Sequence, residues 1–352
     1  MKLSRACLSF LALGVSLVAV IPASALAADT IALKVAGNLL ATGIIQQKKE
    51  QPFFENLPKT TGLPITVDYK PMDVIGVKDV EGLRILKSGL FDIVTLRVGQ
   101  VSRDDPFFIG IDIAGLNSDY AKSRKVMEAY RRAFDERLQK RWNAKLLGMW
   151  PFGPQVLFCN APISGLDDIK GKKIRVGDKT LADLVESLGG IPVTLAFGEA
   201  QQALSRGVTD CAITGPSSAN TAGWPEVTTH MMPLGFFVAF NAYAINLNTW
   251  KKFKPDQQKV LQDAFVEFEN DVWRFSEELY DDAVRCNTGK DPCAMVKKYH
   301  LKEVPVTDAD LKLLQQAFVK SSYLAWADLC DKSSTGCSKD WKSMLGKLSG
   351  VQ

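Results

Sequence analysis

Hydrophobic and polar positions follow two different periods along the chain, and these predict strands and helices in alternation. Apolar runs and two-residue alternation predict strands at residues 31–36, 65–69 and 91–96. A helix is predicted from after Asn38 to about Glu55, and further helices are predicted at residues 80–86 and 121–142. Strands that alternate with helices indicate a mostly parallel sheet covered by helices, so the predicted fold class is α/β.

Residues 173–213 show this order most clearly. Strands are predicted at 173–176, 192–196 and 208–213, with helices at 181–188 and 199–205 between them. Thr180 is placed to cap the first of these helices, which ends before Gly189. In open sheets of this kind the ligand crevice lies outside the carboxyl ends of the strands. That rule selects Arg175, Thr214, Gly215 and Pro216 here, and in the first part of the chain Asn38, Thr95 and Arg97.

One long helix is predicted from Pro255 onward, since proline suits a first helical turn. Apolar residues recur at spacings of three and four over more than five turns, which predicts one buried stripe long enough to lie along two lobes. The stripe consists of Leu261, Phe265, Phe268, Val272, Phe275 and Leu279.

No internal repeat or low-complexity stretch separates the lobes, but the pattern is interrupted at residues 149–154, near Trp150. We therefore expect two lobes, each with a mostly parallel or mixed sheet. Lobe 1 is predicted to be residues 28–149 with a return segment at about 238–255. Lobe 2 is predicted to be residues 150–237 with C-terminal helices at about 256–352.

The N-terminus has the pattern of a secretory signal peptide, predicted at residues 1–27. Lys2 and Arg5 precede an apolar run at 8–21, and Ala25 and Ala27 form a small-x-small cleavage pattern. The alternative is a retained membrane helix, but the run is shorter than the ~20 residues that span a bilayer. The sequence therefore predicts export to the periplasm.

Charge and cysteine content narrow the class of protein. The net charge is +4, and loss of the cations Lys2 and Arg5 leaves +2, scattered among acidic residues, which does not favour nucleic-acid binding. Six of the seven cysteines follow the predicted signal peptide, and an even number in an exported chain indicates disulfides. Local bridges are predicted for the pairs 286/293 and 330/337, whereas Cys159 and Cys211 either pair with each other or remain buried thiols.

The sequence offers little for catalysis. It lacks Gly-x-Ser-x-Gly, a GxGxxG dinucleotide turn and a phosphate loop. Its two histidines, His230 and His300, lie in segments typical of packed or surface residues, and no CxxC motif favours zinc. We therefore predict a protein that is not an enzyme and has no cofactor or metal.

Arg175 is the most informative single residue. A guanidinium beside a crevice can bind a planar carboxylate through two parallel donors, and its charge does not titrate near neutral pH. The alternative is a partly buried structural ion pair with a neighbouring aspartate. Aromatic residues near the same segments fit either core packing or the apolar walls of a pocket; they are Trp150, Phe152, Trp224, Phe236 and Phe237.

The run at 166–176, LDDIKGKKIRV, is similar to a signature of the substrate-binding proteins of tripartite ATP-independent periplasmic (TRAP) transporters. The similarity continues in LGGIPVT at 188–194, FGE at 197–199, AL at 203–204 and GVTD at 207–210. Order and spacing match this family over the whole mature chain. The resemblance implies a two-lobed periplasmic binding protein fold that closes on its ligand, with a long helix spanning both lobes.

The resemblance also implies a function: capture of a small organic acid in the periplasm for the membrane subunits of a TRAP transporter. The arginine of the KIRV segment, here Arg175, would form a salt bridge with the substrate carboxylate. The alternative considered is a secreted enzyme acting on a small carboxylate, which would need a catalytic base that the sequence does not show.

The chain departs from the family pattern at two places. Gln155 stands where many relatives carry a second arginine, and TGPSS at 214–218 replaces the more usual acidic-Asn end of that strand. These departures favour a monocarboxylate with a polar or aromatic body. The predicted substrate-binding residues are Asn38, Thr95, Arg97, Gln155, Arg175, Thr214, Gly215, Pro216, Ser217, Trp224 and Phe237.

Overall fold

The computed structural model describes residues 30–351. The predicted signal peptide therefore lies outside the described residues. The chain forms two mixed sheets, each flanked by helices. We call the part built on the first sheet the first lobe and the part built on the second sheet the second lobe. The α/β fold class predicted from the sequence is confirmed.

Eleven strands make up the two sheets within residues 30–351. The first sheet has the order β2-β1-β3-β10-β4, and the second has the order β11-β9-β5-β8-β6-β7. The strands are β1 Ile31–Gly37, β2 Ile65–Pro71, β3 Ile93–Arg97, β4 Ala144–Pro154, β5 Val156–Cys159, β6 Lys173–Val176, β7 Ile191–Thr194, β8 Cys211–Thr214, β9 His230–Met232, β10 Val238–Asn246 and β11 Lys302–Glu303.

Twelve α-helices connect or cover these strands in the same part of the chain. They are α1 Gln51–Thr61, α2 Gly82–Ser88, α3 Val98–Val101, α4 Tyr120–Trp142, α5 Lys179–Ser187, α6 Ala200–Ser205, α7 Pro216–Thr221, α8 Leu247–Trp250, α9 Pro255–Asn287, α10 Asp308–Ala317, α11 Tyr323–Ser333 and α12 Cys337–Ser349.

The pairing of the strands brings the ends of the predicted strands together. β1 pairs parallel with β2 and β3, and β6 pairs parallel with β7 and β8. β10 returns antiparallel between β3 and β4, so the first sheet is completed by a segment from late in the chain. The carboxyl ends of β3, β6 and β8 consequently lie at the edges where the two sheets face each other.

Two local predictions differ from the structure. One helix was expected to end near Glu55. In the structure a π-helical turn, Gln46–Glu50, continues into α1, which ends at Thr61. The helix expected to be capped by Thr180 begins two residues earlier, because Asp178 is the cap and its Oδ1 accepts a hydrogen bond from the Leu181 amide at 3.0 Å. Aspartate is a strong N-cap residue, and this role also fixes the position of its carboxylate.

Helix α9 contacts both lobes, as predicted. Its apolar stripe packs into the first lobe, where Leu261, Phe265 and Val272 are fully buried. Near its C-terminal end the Asn287 side chain donates to the Pro216 carbonyl of α7 at 3.0 Å, which joins the helix to the second lobe. One rigid helix thus packs against both halves of the molecule.

The last two helices, α11 and α12, pack against the first lobe, whereas Leu314 of α10 is buried in the core of the second lobe. Trp326 of α11 and Trp341 of α12 are buried in the same core as α4, and their indole nitrogens donate to the carbonyls of Pro106 and Gly110. Strand β4 runs without a break through Trp150. The division into lobes at residues 28–149 and 150–237, with its two later segments, stays a prediction.

All six cysteines of the described chain form disulfides. The predicted local bridges Cys286–Cys293 and Cys330–Cys337 are present. Cys159 and Cys211, for which the sequence left two alternatives, also form a bridge, because they lie opposite each other in the antiparallel pair β5–β8. Within residues 30–351, no helix combines the length and the apolar character needed to cross a bilayer.

Candidate functional site

A deep cleft lies between the lobes at the carboxyl ends of β3, β6 and β8. Its cavity volume is only about 60 Å³, less than small-molecule sites usually enclose. Five residues predicted from the sequence line it: Arg97, Gln155, Arg175, Thr214 and Phe237. The other lining residues are Val98, Gly99, Gln100, Asp112, Phe152, Gly177, Asp178, Leu181, Phe197, Ile213, Ala239 and Phe240.

Arg175, the third residue of β6, holds its guanidinium inside this cleft and is only 4% exposed. Nε and Nη2 donate to the Leu195 carbonyl at 3.1 and 2.8 Å, and Nη1 donates to the Ile213 carbonyl at 3.3 Å. A guanidinium has five N–H donors, so these bonds leave two of them for a ligand. Burial, with a smaller effect from the charge of Arg97, lowers the pKa of Arg175 to about 10, so the group remains cationic at neutral pH.

The positive charge of Arg175 has no carboxylate partner among the described residues within 4.0 Å. The other arginine in the cleft differs, because Arg97 Nη1 contacts Asp79 Oδ2 at 3.1 Å. The Arg97 guanidinium also lies 5.3 Å from the centre of the Phe152 ring. The cleft therefore contains one arginine in an ion pair and one buried arginine without a described carboxylate within 4.0 Å, on which Asp178 acts only from a greater distance.

Two buried carboxyl groups also line the cleft. Burial raises the pKa of Asp178, and this effect exceeds that of its hydrogen bonds from Leu181 and Thr180. Burial raises the pKa of Asp112 well above its usual range, and the nearby charge of Asp178 raises it further. The Asp112 Oδ2 atom accepts from the Phe240 amide at 3.2 Å. The cleft thus presents hydrogen-bond acceptors as well as a cation.

Aromatic rings supply much of the apolar wall, namely Phe152, Phe197, Phe237 and Phe240. Of the aromatic group selected from the sequence, Phe152 and Phe237 line the cleft, whereas Trp150, Trp224 and Phe236 are buried outside its lining. Trp224 lies just behind it: its ring stacks on Phe197 with centres 5.6 Å apart, and the Arg175 guanidinium carbon is 5.9 Å from the ring centre.

Two predicted residues of the first lobe lie outside the lining. Asn38 is buried beneath the sheet, where its amide and side chain donate to the Glu50 carboxylate at 2.7 and 2.6 Å. Thr95 is buried within β3 and accepts a hydrogen bond from Asn241 of β10 at 2.6 Å. Both side chains are engaged in fixing the first sheet.

The three predicted residues after Thr214 are not among those that line the cleft, although Gly215 lies beside Gln155. Gly215 precedes α7, and Pro216 and Ser217 form its first turn. The carbonyl of Pro216 accepts from Asn287 of α9, and that of Ser217 accepts from Thr221 at 3.0 Å. These three predicted residues therefore belong to the connection between α7 and α9, outside the cleft lining.

Sequence reasoning missed several lining residues. Gln100 and Asp178 follow β3 and β6 within three residues, so the strand-end rule could have found them. Asp112 and Phe240 gave no such signal. Asp112 follows a 3₁₀ helix, Phe108–Ile111, and bonds at the cleft to Phe240, 128 residues away. Among the described residues, no group of three or more His, Cys, Asp or Glu side chains is arranged to hold a metal ion.

Known proteins match this chain both in sequence and in fold. The family model of the bacterial extracellular solute-binding protein, family 7 (DctP), matches residues 39–291. The C4-dicarboxylate-binding periplasmic protein DctP of Rhodobacter capsulatus is 27% identical over 222 residues, which cover 61% of this chain and 65% of that protein. The matched part is thus just under two thirds of that relative.

Solved structures have the same fold. A TRAP periplasmic solute binding protein from Desulfovibrio salexigens with bound orotic acid aligns with a TM-score of 0.78 at 18% identity, over 91% of this chain and 100% of that one. DctP7 of Bordetella pertussis, an extracytoplasmic solute receptor binding pyroglutamic acid, aligns with a TM-score of 0.75 at 18% identity, over 90% and 99%.

Two α/β lobes around a cleft with a buried, uncompensated arginine define a two-lobed solute-binding protein. The chain belongs to the bacterial extracellular solute-binding proteins of family 7. This membership confirms the resemblance to TRAP substrate-binding proteins described above. It also confirms the predicted class, because the family consists of solute-binding proteins and not of enzymes.

Proposed function

We propose that this protein binds a small organic acid in the periplasm and presents it to the membrane subunits of a TRAP transporter. The observation that carries the proposal is Arg175: a buried guanidinium with free donors and no counter-ion in a cleft between two lobes. A buried cation without a partner is costly, whereas a carboxylate ligand would supply both charge and acceptors.

The remaining ligand contacts are assigned to residues that line the same cleft. Gln155 is held by a bond from Nε2 to the Gly153 carbonyl at 2.8 Å, which leaves Oε1 as an acceptor for the ligand. Thr214, at the end of β8, offers a hydroxyl, and Phe237 offers an apolar surface. Arg97 is already paired with Asp79, so its charge attracts an anionic ligand less strongly than that of Arg175. Its guanidinium lies over the Phe152 ring.

The charge of the cleft favours one carboxylate on the ligand over two. Only Arg175 among the lining arginines lacks a carboxylate partner, and Gln155 is neutral. The aromatic walls suit a planar or cyclic body. The ligands named for the two similar structures, orotic acid and pyroglutamic acid, agree with this type of molecule. We therefore propose a monocarboxylate with a polar or aromatic body.

The periplasmic location rests on the N-terminal secretory pattern at residues 1–27 and on the periplasmic relative from Rhodobacter capsulatus. Family membership supports the partnership with a membrane transporter. The closed cleft fits a protein that carries its solute enclosed between two lobes.

Titration calorimetry with an acid selected by a thermal-shift screen tests the role of Arg175. We expect Arg175→Ala to weaken binding at least tenfold, because losing one partner of a buried charge pair costs about 2–5 kcal/mol. Arg175→Lys should also weaken binding, because an ammonium lacks the planar fork of donors.

Arg132→Ala is the matched control, because this side chain of α4 is 91% exposed and pairs only with Glu136. It should bind like the wild type. Circular dichroism and the melting temperature show whether each variant is folded. Unchanged affinity in a folded Arg175→Ala protein would contradict the proposed anchor.

A further inference from the structure

Anion binding by Arg175 does not explain two acidic side chains in the same cleft. Asp112 and Asp178 both line it and are 1% and 8% exposed. Among the described residues, neither has a cation within 4.0 Å, since Arg97 pairs with Asp79 and Arg175 bonds to backbone carbonyls. An anion-binding site gains nothing from two further carboxyl groups, so these residues require another reason.

Asp178 lines the cleft, and only one of its two carboxylate oxygens accepts hydrogen bonds. Its Oδ1 atom accepts from the Leu181 amide at 3.0 Å and from the Thr180 hydroxyl at 2.8 Å, whereas Oδ2 has no hydrogen-bond partner among the described residues. A methyl group at Gly99 would lie 3.7 Å from Oδ2, so the glycine keeps the space beside this oxygen open. Asparagine caps a helix as well as aspartate does. The helix cap therefore accounts for Oδ1 and leaves Oδ2 unexplained.

Asp112 also has one carboxylate oxygen without a hydrogen-bond donor. Its Oδ2 atom accepts from the Phe240 amide at 3.2 Å, while Oδ1 is buried and has no partner. A buried acceptor without a donor is costly, and native proteins rarely keep one without a reason. A neutral asparagine could accept the same bond from Phe240. The two carboxyl groups thus share one property: each has a bonded oxygen and an oxygen without a donor.

We propose that the ligand carries, beside the carboxylate held by Arg175, a hydrogen-bond donor, an N–H or O–H group, that is accepted by the free oxygens of Asp178 and Asp112. This inference rests on the proposed function and narrows it to acids such as hydroxy acids, amino acids and lactam acids. One ligand would then pair with Arg175 through its carboxylate and with the free oxygens of Asp112 and Asp178 through its donor.

Such a site rejects acids that lack the donor. Binding a donor-free acid would bury the free oxygens of Asp112 and Asp178 beside a third carboxylate without a compensating hydrogen bond. A site built to bond an N–H or O–H group discriminates strongly against the analogue without it, because its own polar groups are left unpaired. The discrimination should therefore depend on the two aspartates and be separable from anion binding.

Matched pairs of acids test this directly by calorimetry on the mature protein, after unfolding and refolding with intact disulfides to remove bound ligand. The probes are 5-oxopyrrolidine-2-carboxylate against its ring-oxygen lactone analogue, 2-hydroxy acids against the acids without the hydroxyl, and amino acids against their deaminated acids. We expect the donor-bearing member of each pair that binds to have at least a tenfold lower Kd.

Asp178→Asn and Asp112→Asn should reduce this ratio to less than about threefold, since asparagine can turn its own donor toward the ligand. Asp167→Asn, an exposed residue paired with Lys170, is the control and should keep the full ratio. Acids that bind through Arg175 with equal affinity in both members of every pair would overturn this inference and leave the proposed function intact. If no acid of the panel binds at all, both fail.

Discussion

Four ionisable side chains line the cleft: Arg97, Asp112, Arg175 and Asp178. Arg97 and Asp79 neutralise each other, whereas Arg175, Asp112 and Asp178 have no partner of opposite charge within 4.0 Å among the described residues. Burial removes water from each of these three groups, and the hydrogen bonds that they make in the protein replace only part of those contacts. Their cost to the empty protein is the counterpart of the role in binding that we propose for them, a trade-off common at functional sites.

Asp112 should therefore destabilise the ligand-free protein as the pH rises. Because burial raises its pKa, the folded state holds this proton more tightly than the unfolded state, whose aspartates titrate near pH 3.9. The stabilisation from the proton is complete below that pH and is lost as the pH rises through the raised pKa. Near pH 8, Asp112→Asn should be more stable than the wild type by roughly 1–3 kcal/mol.

Denaturant unfolding of the two ligand-free proteins from pH 4 to pH 8 measures this effect. The advantage of Asp112→Asn should grow with pH across the series. The groups that face Asp112 are Asp178 and the Phe240 amide, and both remain in the variant. A difference that stays constant or shrinks toward pH 8 would show that burial does not raise the pKa of Asp112.

At the residue level, the sequence predicted part of the cleft lining where strands end. Arg97, Arg175 and Thr214 line the cleft because β3, β6 and β8 stop there, and alternation in the sequence marks those stops. Asn38 follows the same rule but bonds to Glu50, a partner in a π-helical turn that no simple pattern indicates. Asp112 reaches the cleft only through tertiary packing, which one sequence does not encode locally.

At the scale of elements, a few contacts join the lobes directly. Gln100 of α3 donates from Nε2 to the Gly177 carbonyl after β6 at 3.1 Å, and Thr180 at the start of α5 accepts from the Ala114 amide at 3.2 Å. Gln100 and Gly177 also line the cleft. We therefore expect the bond between them to hold the two lobes together around a ligand.

Gln100→Ala should shorten the lifetime of the bound state. Losing one hydrogen bond costs about 0.5–1.5 kcal/mol, so we expect the ligand dissociation rate to rise about 2–10-fold. The association rate should change little, because it reports entry into the open form. Stopped-flow fluorescence measures both rates. Gln139→Ala, on the exposed face of α4, is the control, and a Gln100→Ala dissociation rate equal to that of the control would exclude the contact as a latch.

Element boundaries were predictable where period and packing agree. The stripe of α9 was read correctly because one face of it is buried along its length. The prediction of a domain boundary near Trp150 came from Pro and Gly at 151–154, which in the structure remain within β4. Pairing with β10, a segment far along the chain, holds that strand together despite its composition.

At the scale of the molecule, the two lobes, joined by helix α9, enclose the guanidinium of Arg175. Helix α9 packs along β4 and reaches α7, and β4 and β10 are long strands beside the cleft. Closure of such lobes excludes water and strengthens every electrostatic contact inside. The family assignment could be made from sequence motifs, but the buried acidic pair became visible only when both lobes were in place.

A crystal structure of the protein with the acid it retains on purification, or with the tightest acid of the screen, tests the central claim most directly. We predict a ligand carboxylate oxygen at roughly 2.7–2.9 Å from a terminal nitrogen of Arg175, the distance of a charge-assisted hydrogen bond. A ligand carboxylate placed elsewhere in the cleft, with the Arg175 guanidinium bound only to backbone carbonyls, would contradict it.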